Sequence, residues 1–284
     1  MNDRQRNQAQ RLLAAHAGRE PLILPNAWDV VSAKIVELEG FPAVATTSAG
    51  IAATLGHADG ERMSLAQNLA VVARIVGHVQ VPVTADIETG YSTSVEGVVE
   101  AARGVLRAGA VGLNLEDGTG DPAAPLFSPQ AQVEKLRAVR AMADGEECHL
   151  VINARTDVYF VAPDDPAARL RAAIERGNAY RAAGADCIFV PDVGGLDAAA
   201  IATLVREIDG PINVIAGVHL PPIPALADLG VRRVSLGPRP MRAAYSFFRE
   251  IARELRDRGT YEGLSRATIT YAEMNGWFGD TNSG

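Results

Sequence analysis

Short apolar runs alternate along the chain with longer stretches in which apolar residues recur every three or four positions, as on one face of a helix. The short runs predict eight strands, at Leu22–Leu24, Ala43–Thr46, Val81–Ile87, Val111–Leu115, Leu150–Ala154, Cys187–Val190, Ile212–Ala216 and Arg233–Leu236. The longer stretches predict eight helices, at Asp29–Glu39, Ser64–His78, Ser94–Ala108, Pro129–Ala143, Pro166–Ala183, Leu196–Ile208, Ile223–Leu229 and Met241–Arg258. Because parallel neighbours need a crossover, eight such units predict an α/β fold of the closed (β/α)8, or TIM barrel, type.

Glycines punctuate the predicted units. Gly40, Gly109, Gly184 and Gly230 each lie about one residue beyond a helix, where a left-handed cap needs no Cβ atom. No linker or low-complexity segment interrupts the series. We therefore predict one barrel domain with an N-terminal helix over residues 1–258, followed by a tail, residues 259–284, that covers apolar surface on the barrel or on a neighbouring subunit.

Composition narrows the range of partners. The chain has 27 Lys and Arg against 34 Asp and Glu, a net charge of −7, which gives no field for holding a nucleic acid. No apolar run approaches the about 18 residues of a membrane span, and the N-terminus lacks an apolar signal-peptide core, so we predict no membrane interaction and a cytoplasmic location. Cys148 and Cys187 lie at or near strand starts and are expected to be buried thiols.

Polar residues follow predicted strands two to five, at the rim where such a barrel carries its reactive groups. They are Thr47, Ser48 and Asp59 after strand two, Asp86 and Glu88 after strand three, Glu116 and Asp117 after strand four, and Arg155 and Asp157 after strand five. So many carboxylates at one rim would repel one another without a cation. Oxygen ligands without His or Cys favour Mg2+ or Mn2+, so we predict a hard divalent cation that some carboxylates reach through water.

Two features of this rim suit an anionic substrate. Arg155 has a planar guanidinium that can bind a carboxylate with two hydrogen bonds, although it could instead only form an ion pair with Glu116 or Asp157. The turn Thr47–Ser48–Ala49–Gly50 offers hydroxyls and backbone N–H groups ahead of a helix, an arrangement that can hold an anion.

Several motifs in register resemble the isocitrate lyase/phosphoenolpyruvate mutase superfamily. They run from residue 21 to about residue 255 and read LPNAWDVVSA, FPAVATTSAGIAATLGHADG, VPVTADIETGY, VGLNLEDGTG, INARTDVY, AGADCIFVPD and VRRVSLGPRPMRAA. The resemblance implies a (β/α)8 barrel whose eighth helix is exchanged between subunits of a homodimer or homotetramer. It also implies Mg2+, with Mn2+ as a possible substitute, and a small-molecule substrate that contains or generates a 2-oxocarboxylate.

The resemblance also implies roles for individual residues. Asp59, Asp86, Glu88 and Glu116 match the acidic metal shell, with Asp86 as the direct ligand. Thr47, Ser48 and Ala49 match the turn that holds the pyruvyl group, and Arg155 matches the arginine at the substrate. The loop after Glu116, EDGTGDPAAPLFSPQAQ, departs from the family because it lacks both the cysteine motif of the isocitrate-cleaving lyases and the polar loop of the phosphonate enzymes.

These features favour a Mg2+-dependent lyase that cleaves a C–C bond, or decarboxylates, through a metal-stabilised enolate of a small 2-oxo or 2-hydroxy di- or tricarboxylate. A first alternative is phosphorus–carbon chemistry of the phosphoenolpyruvate mutase, carboxyphosphonoenolpyruvate mutase or phosphonopyruvate hydrolase type. A second alternative is a barrel that binds 2-oxo acids without converting them.

The missing loop cysteine leaves the proton-transfer group open. Tyr91 is one candidate and, with Arg155 and Glu116, makes up the predicted catalytic set. Further candidates for proton transfer are Asp117, Asp121, Ser128 and His219. Trp28 and Asn213 complete the predicted substrate-binding residues.

Overall fold

The computed structural model describes residues 2–161, 165–192 and 194–279. These residues fall into two compact units that divide between Pro238 and Arg239. The first unit holds every strand and the predicted site, and the second holds the last long helix and the tail. The assignment of residues 1–258 to one domain stays a prediction.

The first unit alternates strands with helices, as the apolar pattern predicts. Its strands are β1 Leu22–Leu24, β2 Asn26–Ala27, β3 Val44–Thr46, β4 Val83–Asp86, β5 Gly112–Glu116, β6 Val151–Arg155, β7 Cys187–Val190, β8 Ile212–Ile215 and β9 Arg233–Ser235. Its helices are α1 Asp3–Ala15, α2 Val30–Leu38, α3 Ser48–Thr54, α4 Leu65–His78, α5 Val95–Arg107, α6 Pro129–Gly145, α7 Val158–Val161, α8 Pro166–Ala182, α9 Ala198–Glu207 and α10 Ile223–Asp228.

All of the strands are parallel, and the sheet runs in the order β1, β9, β8, β7, β6, β5, β4, β3, β2. Pro25 separates β1 from β2, since proline has no N–H group to give to a neighbouring strand. β1 is the first predicted strand, whereas β2 is a short strand that was not predicted; β1 pairs with β9 and β2 pairs with β3. This arrangement confirms the α/β TIM barrel.

The side chain of Asn26 joins the strands on either side of this break. Its amide nitrogen donates to the carbonyl oxygen of Thr46 at 2.8 Å. Its amide oxygen accepts from the backbone N–H groups of Leu236 and Gly237, at 2.8 and 2.7 Å. Asn26 is buried, so these bonds replace part of the backbone ladder that Pro25 interrupts.

Helix α1 covers the N-terminal end of the barrel. Gln5 and Gln8 donate to backbone carbonyls that precede β5 and β4, those of Leu106 and Gln80. Leu12 of α1 is fully buried, and a Cβ atom built on Gly112 would lie 2.8 Å from its side chain. Helix α1 therefore leaves the opposite rim, at the carboxyl ends of the strands, as the open face of the barrel.

The second unit contains α11 Arg239–Arg258, a 3₁₀ helix Glu262–Arg266 and α12 Tyr271–Gly276. The carboxylate of Glu254 accepts hydrogen bonds from the backbone of Glu262 and Gly263, which fixes the turn after α11. Several large apolar side chains of this unit are exposed, among them Phe248 at 68% and Tyr271 at 88%. No helix in the described part of the chain is long and apolar enough to cross a membrane.

Candidate active site

Asp86 lies at the centre of the predicted rim, at the end of β4. Its Oδ2 atom accepts from the backbone N–H and the hydroxyl of Ser48, at 3.0 and 2.9 Å. Its backbone N–H donates to Oγ1 of Thr46 at 2.9 Å, and Asn68 donates to its carbonyl oxygen, also at 2.9 Å. Oδ1 accepts one longer bond, 3.4 Å, from Asn114. The carboxylate is therefore fixed in position with one oxygen more weakly bonded than the other.

The turn after β4 carries Glu88 and Tyr91 toward Asp86. Both residues have left-handed backbone, with φ of 52° and 55°, and Glu61 in the facing loop has φ of 56°. Residues other than glycine rarely adopt this backbone conformation, and those that do are often found at functional sites. Oε1 of Glu61 holds the turn by accepting from the backbone of Thr89 and Tyr91, at 3.0 and 2.8 Å.

Glu88 is buried beside this turn, with 5% of its surface exposed. Its Oε2 accepts from the backbone N–H of Glu61 at 2.8 Å, and its Oε1 accepts from the Tyr91 hydroxyl at 3.4 Å. Burial, and then the charges of Asp86 and Asp59, raise the pKa of Glu88 to about 8. Burial and the nearby Glu88 also raise the pKa of Tyr91, so its hydroxyl keeps its proton at neutral pH.

Arg155 lies between two carboxylates at the ends of β5 and β6. It faces Glu116 in register across these strands, and its NH1 lies 2.6 Å from Oε2 of Glu116. Its Nε and NH2 donate to the two oxygens of Asp157, at 2.5 and 3.1 Å. Burial raises the pKa of Glu116, and the charge of Arg155 opposes that rise. Arg155 therefore pairs with both acids that the sequence offered as alternatives.

Asp117 is fully buried and anchors the loop that follows β5. Its Oδ2 accepts from Arg176 and Tyr180, at 2.8 and 2.6 Å, and its Oδ1 accepts from the backbone of Asp157 at 2.8 Å. Arg176 also donates to the carbonyl oxygen of Phe127 at the far end of the loop. These contacts indicate a structural role for Asp117 rather than the proton transfer considered from the sequence.

The other predicted residues divide between rim and scaffold. Thr47 caps α3 and Ala49 lies in the first turn of that helix, next to the Ser48–Asp86 contact. Asp59 is exposed, and it lies close enough to Asp86 for the charge of Asp86 to raise its pKa. Trp28 packs against Ile51, Ala52 and Met63 in a separate apolar cluster. Asn213 is buried in β8 and accepts a hydrogen bond from Ser235. Ser128 caps α6. His219 is exposed in the loop between β8 and α10. None of these last three hydrogen-bonds to Asp86, Glu88 or Glu116 in the contacts of the described chain.

Sequence reasoning missed several polar residues that hold the rim together. Glu61 and Asn68 fix the turn after β4, and Asn114 links Asp86 to the interior of the barrel. Asn114 also accepts from Asn153 at 2.7 Å and from Arg233 at 3.3 Å. One available signal was the position of Asn114 in an apolar strand, where an unpaired amide would be costly.

The rim fits a hard cation with few direct protein ligands. Within the described ranges, no three His, Cys, Asp and Glu side chains converge closely enough to bind a metal on their own. Burial raises the pKa of Asp59, Glu88 and Glu116, and the negative charge of Asp86 raises each further. A cation would offset that repulsion, and Mg2+ commonly binds one or two carboxylates while keeping several waters. The donor set therefore suits Mg2+ better than a metal that needs a closed protein shell.

A cavity of about 430 Å³ opens beside this rim, between the loop after β5 and the loop that carries Glu61. Among the described residues, five acids line it, namely Glu61, Glu88, Glu116, Asp121 and Asp157. The rest of its wall comes from glycine, threonine and proline residues and from Val161. The cavity is large enough for a small organic acid.

Comparison with known proteins identifies the family of the chain. A family model described as phosphoenolpyruvate phosphomutase matches residues 12–256. The 2-methylisocitrate lyase of Salmonella typhimurium is 30% identical over 187 residues, which cover 63% of this chain and 61% of the lyase.

Two solved structures share the fold closely. One, a protein of Burkholderia cenocepacia J2315 provisionally classed as a lyase/mutase, is 34% identical, with a TM-score of 0.91 over 99% of this chain and 98% of that one. A phosphonopyruvate hydrolase in complex with oxalate and Mg2+ is 25% identical, with a TM-score of 0.83 over 96% and 95% of the two chains. The barrel, its acidic rim and these matches together show that the chain belongs to the isocitrate lyase/phosphoenolpyruvate mutase superfamily, a group of Mg2+-dependent lyases and mutases.

Proposed function

We propose that this protein is a Mg2+-dependent lyase that breaks a carbon–carbon bond of a small 2-oxo or 2-hydroxy carboxylate. The observation that carries the proposal is the group of acids at neighbouring strand ends: Asp86 at the end of β4, the buried Glu88 after it and Glu116 at the end of β5, which would repel one another without a cation. The 2-methylisocitrate lyase relative supports C–C cleavage, and the hydrolase structure with oxalate and Mg2+ supports a 2-oxo acid site.

Asp86 would hold the metal directly, through the carboxylate oxygen that accepts only the 3.4 Å bond from Asn114. Asp59, Glu88 and Glu116 would reach it through water or by small movements of their side chains. When bound, Mg2+ supplies positive charge that stabilises the oxygens of a 2-oxo acid and of the enolate derived from it.

The chain's own residues would orient the substrate and move protons. The turn of Thr47, Ser48 and Ala49 would lie beside the substrate's carboxylate and 2-oxygen, because it begins α3 at the end of β3. The N–H and hydroxyl of Ser48 hold Asp86 and would position that carboxylate at the metal. Arg155 would place its positive charge at the substrate while Glu116 and Asp157 hold its guanidinium in plane.

Tyr91 would donate the proton that the cleaved carbon atom requires. Its hydroxyl is protonated at neutral pH, and Asn68 donates to its oxygen at 3.3 Å, which orients the group. Glu88 accepts from the same hydroxyl at 3.4 Å. With a cation bound beside it, its carboxylate would be ionised and would take the proton lost from a 2-hydroxyl and return it to Tyr91. A tyrosine would thus take the role that the loop cysteine has in the isocitrate-cleaving lyases.

Incubation of the Mg2+-loaded protein with a panel of 2-oxo, 2-hydroxy and phosphonate acids, followed by NMR, tests this assignment. We expect a 2-oxo or 2-hydroxy acid to be consumed with release of a shorter carboxylate, and we expect Tyr91→Phe to abolish that consumption while Mg2+ still binds. Phosphate release from a phosphonate would establish the phosphorus–carbon alternative. Binding of 2-oxo acids with no panel member consumed would establish the binding-only alternative.

A further inference from the structure

The cavity beside the rim lies next to the residues proposed to bind the 2-oxo acid group, so it would hold the rest of the substrate, its far part. The charge and polarity of the cavity wall therefore limit the chemistry of this far part. The acids of the cavity fall into two sets. Glu88, Glu116 and Asp157 face the rim, where a bound cation and Arg155 offset their charge. Glu61 and Asp121 line the same cavity from the two loops at its mouth.

Two basic residues near the cavity, Arg155 and Lys135, already contact other side chains. Arg155 pairs with Glu116 through NH1 and with Asp157 through Nε and NH2. The ammonium group of Lys135 lies 3.4 Å from the ring centroid of Phe127, is 2% exposed and does not line the cavity. Among the residues that line this cavity in the described chain, none is a lysine, arginine or histidine.

The two outer acids would oppose a second anionic group. Oε1 of Glu61 accepts from the backbone of Thr89 and Tyr91, and Oδ1 of Asp121 accepts from the backbone of Ala123 at 2.8 Å. These bonds come from neutral N–H groups, so the two carboxylates are held in place without a cationic partner in these contacts. A carboxylate or phosphonate on the far part of the substrate would lie beside both carboxylates, and the described lining residues provide no lysine, arginine or histidine to offset the repulsion.

The uncharged part of the wall suits a neutral group. Pro122, Pro125 and Val161 provide apolar surface, and Thr89 and Thr119 provide hydroxyls. We propose that the substrate's far part is an uncharged hydroxyalkyl group on a 2-oxo acid with a single carboxylate. As the C3–C4 bond breaks, the 4-hydroxyl loses its proton and becomes an aldehyde, and the bonding electrons form the pyruvate enolate, which takes a proton at C3. This inference rests on the proposed function, and it narrows the substrates from the di- and tricarboxylates that the sequence features favour.

Calorimetry with two acids of the same shape tests the inference. 2-Oxoglutarate and 5-methyl-2-oxohexanoate share the 2-oxo acid group and differ at the far end, where a carboxylate replaces an isopropyl group of similar size. With saturating Mg2+, we expect the neutral acid to bind at least about tenfold more tightly, the scale of one like-charge contact in a partly buried site. Equal affinities, or tighter binding of 2-oxoglutarate, would overturn the inference.

Asp121 provides the matched variants. Asp121→Asn keeps an oxygen that can accept from Ala123 but removes the charge, so 2-oxoglutarate should gain several-fold in affinity while the neutral acid is unchanged. Asp121→Lys should enlarge that gain. If neither variant favours 2-oxoglutarate, the charge of the cavity does not set its preference and the inference fails.

Oxalate separates failure of this inference from failure of the proposed function. Oxalate has no far part, so it reports on the rim alone. If oxalate binds with Mg2+ but neither 2-oxo acid does, the cavity does not accept a side chain and the inference is wrong while the rim assignment stands. If oxalate itself does not bind, the proposed function is wrong, and the inference with it.

Discussion

Acidification should weaken the fold through His16, a buried histidine that ends α1 at the closed end of the barrel. Its Nδ1 lies 2.8 Å from the carbonyl oxygen of Leu12, which can only accept, so Nδ1 carries the proton. Its Nε2 then accepts from NH1 of Arg233 at 3.4 Å. A second proton on the ring would point at a guanidinium that is itself fully buried. Burial, and then the charge of Arg233, lower the pKa of His16 from 6.5 to about 4.

The sign and size of the effect follow from these pKa values. The unfolded chain takes up a proton on this histidine below pH 6.5, whereas the folded chain resists it down to about pH 4. The stabilising contribution is therefore complete above pH 6.5 and is lost as the pH falls toward 4. At about 1.4 kcal/mol for each pH unit, the free energy of unfolding should drop by about 2.5 kcal/mol between pH 7.5 and pH 4.5 from this residue alone.

Urea denaturation followed by tryptophan fluorescence at several pH values measures the drop. Other groups titrate over the same range, so the comparison is between wild type and His16→Asn, whose amide can bond to the same neighbours but does not titrate. The variant should lose about 2.5 kcal/mol less on acidification than wild type does. His219→Gln, which removes an exposed histidine, serves as the control and should behave as wild type. An equal loss of stability in wild type and His16→Asn would refute the reasoning.

Three further outcomes are expected. Asp86→Ala should abolish most Mg2+ binding by calorimetry while far-ultraviolet circular dichroism stays native, because a ligand but no core volume is lost; unchanged Mg2+ affinity would remove the proposed site. Light scattering should show a dimer or tetramer, because α11 and the tail expose apolar side chains such as Phe248, whereas a monomer at micromolar concentration would exclude helix exchange. Lys135→Met should raise the free energy of unfolding by about 1 kcal/mol in urea, because it removes a buried ammonium without a hydrogen-bond partner; a less stable variant would show that contact with Phe127 outweighs desolvation.

Eight of the nine strands could be predicted because each is mainly an apolar run that is buried on both faces, as parallel strands in a barrel are; β2, Asn26–Ala27, could not. The break at Pro25 could be suspected only as a weak point, because the sequence does not show that Asn26 joins the strands on both sides of it. A helix was expected after the Thr47 turn, but its bounds could not be predicted, because the small residues of α3 show no strong periodicity of apolar positions. Local pattern thus located the elements, and long-range side-chain contacts completed the barrel.

The sequence predicts which residues reach the rim, but not how those residues contact one another. Strand ends place Asp86, Glu116 and Arg155 together in any barrel of this type. The pairing of Arg155 with two carboxylates and the left-handed backbone of Glu88 depend on distances that no spacing rule supplies. The path from Asp86 through Asn114 to Arg233 joins residues far apart in the chain. Such contacts follow from the closed barrel and could not be inferred before it was known.

Calorimetric titration of oxalate, with and without Mg2+, tests most directly whether the acidic rim holds a metal and a 2-oxo acid enolate. Oxalate is a planar dianion that resembles the enolate of pyruvate, so a site complementary to the enolate should bind it about 100-fold or more tightly than pyruvate. Without the metal, the charges around Asp86 should prevent binding. We therefore predict tight binding that requires Mg2+ and is lost in Asp86→Ala. Oxalate binding that is independent of Mg2+, or none with saturating Mg2+, would contradict the proposed chemistry.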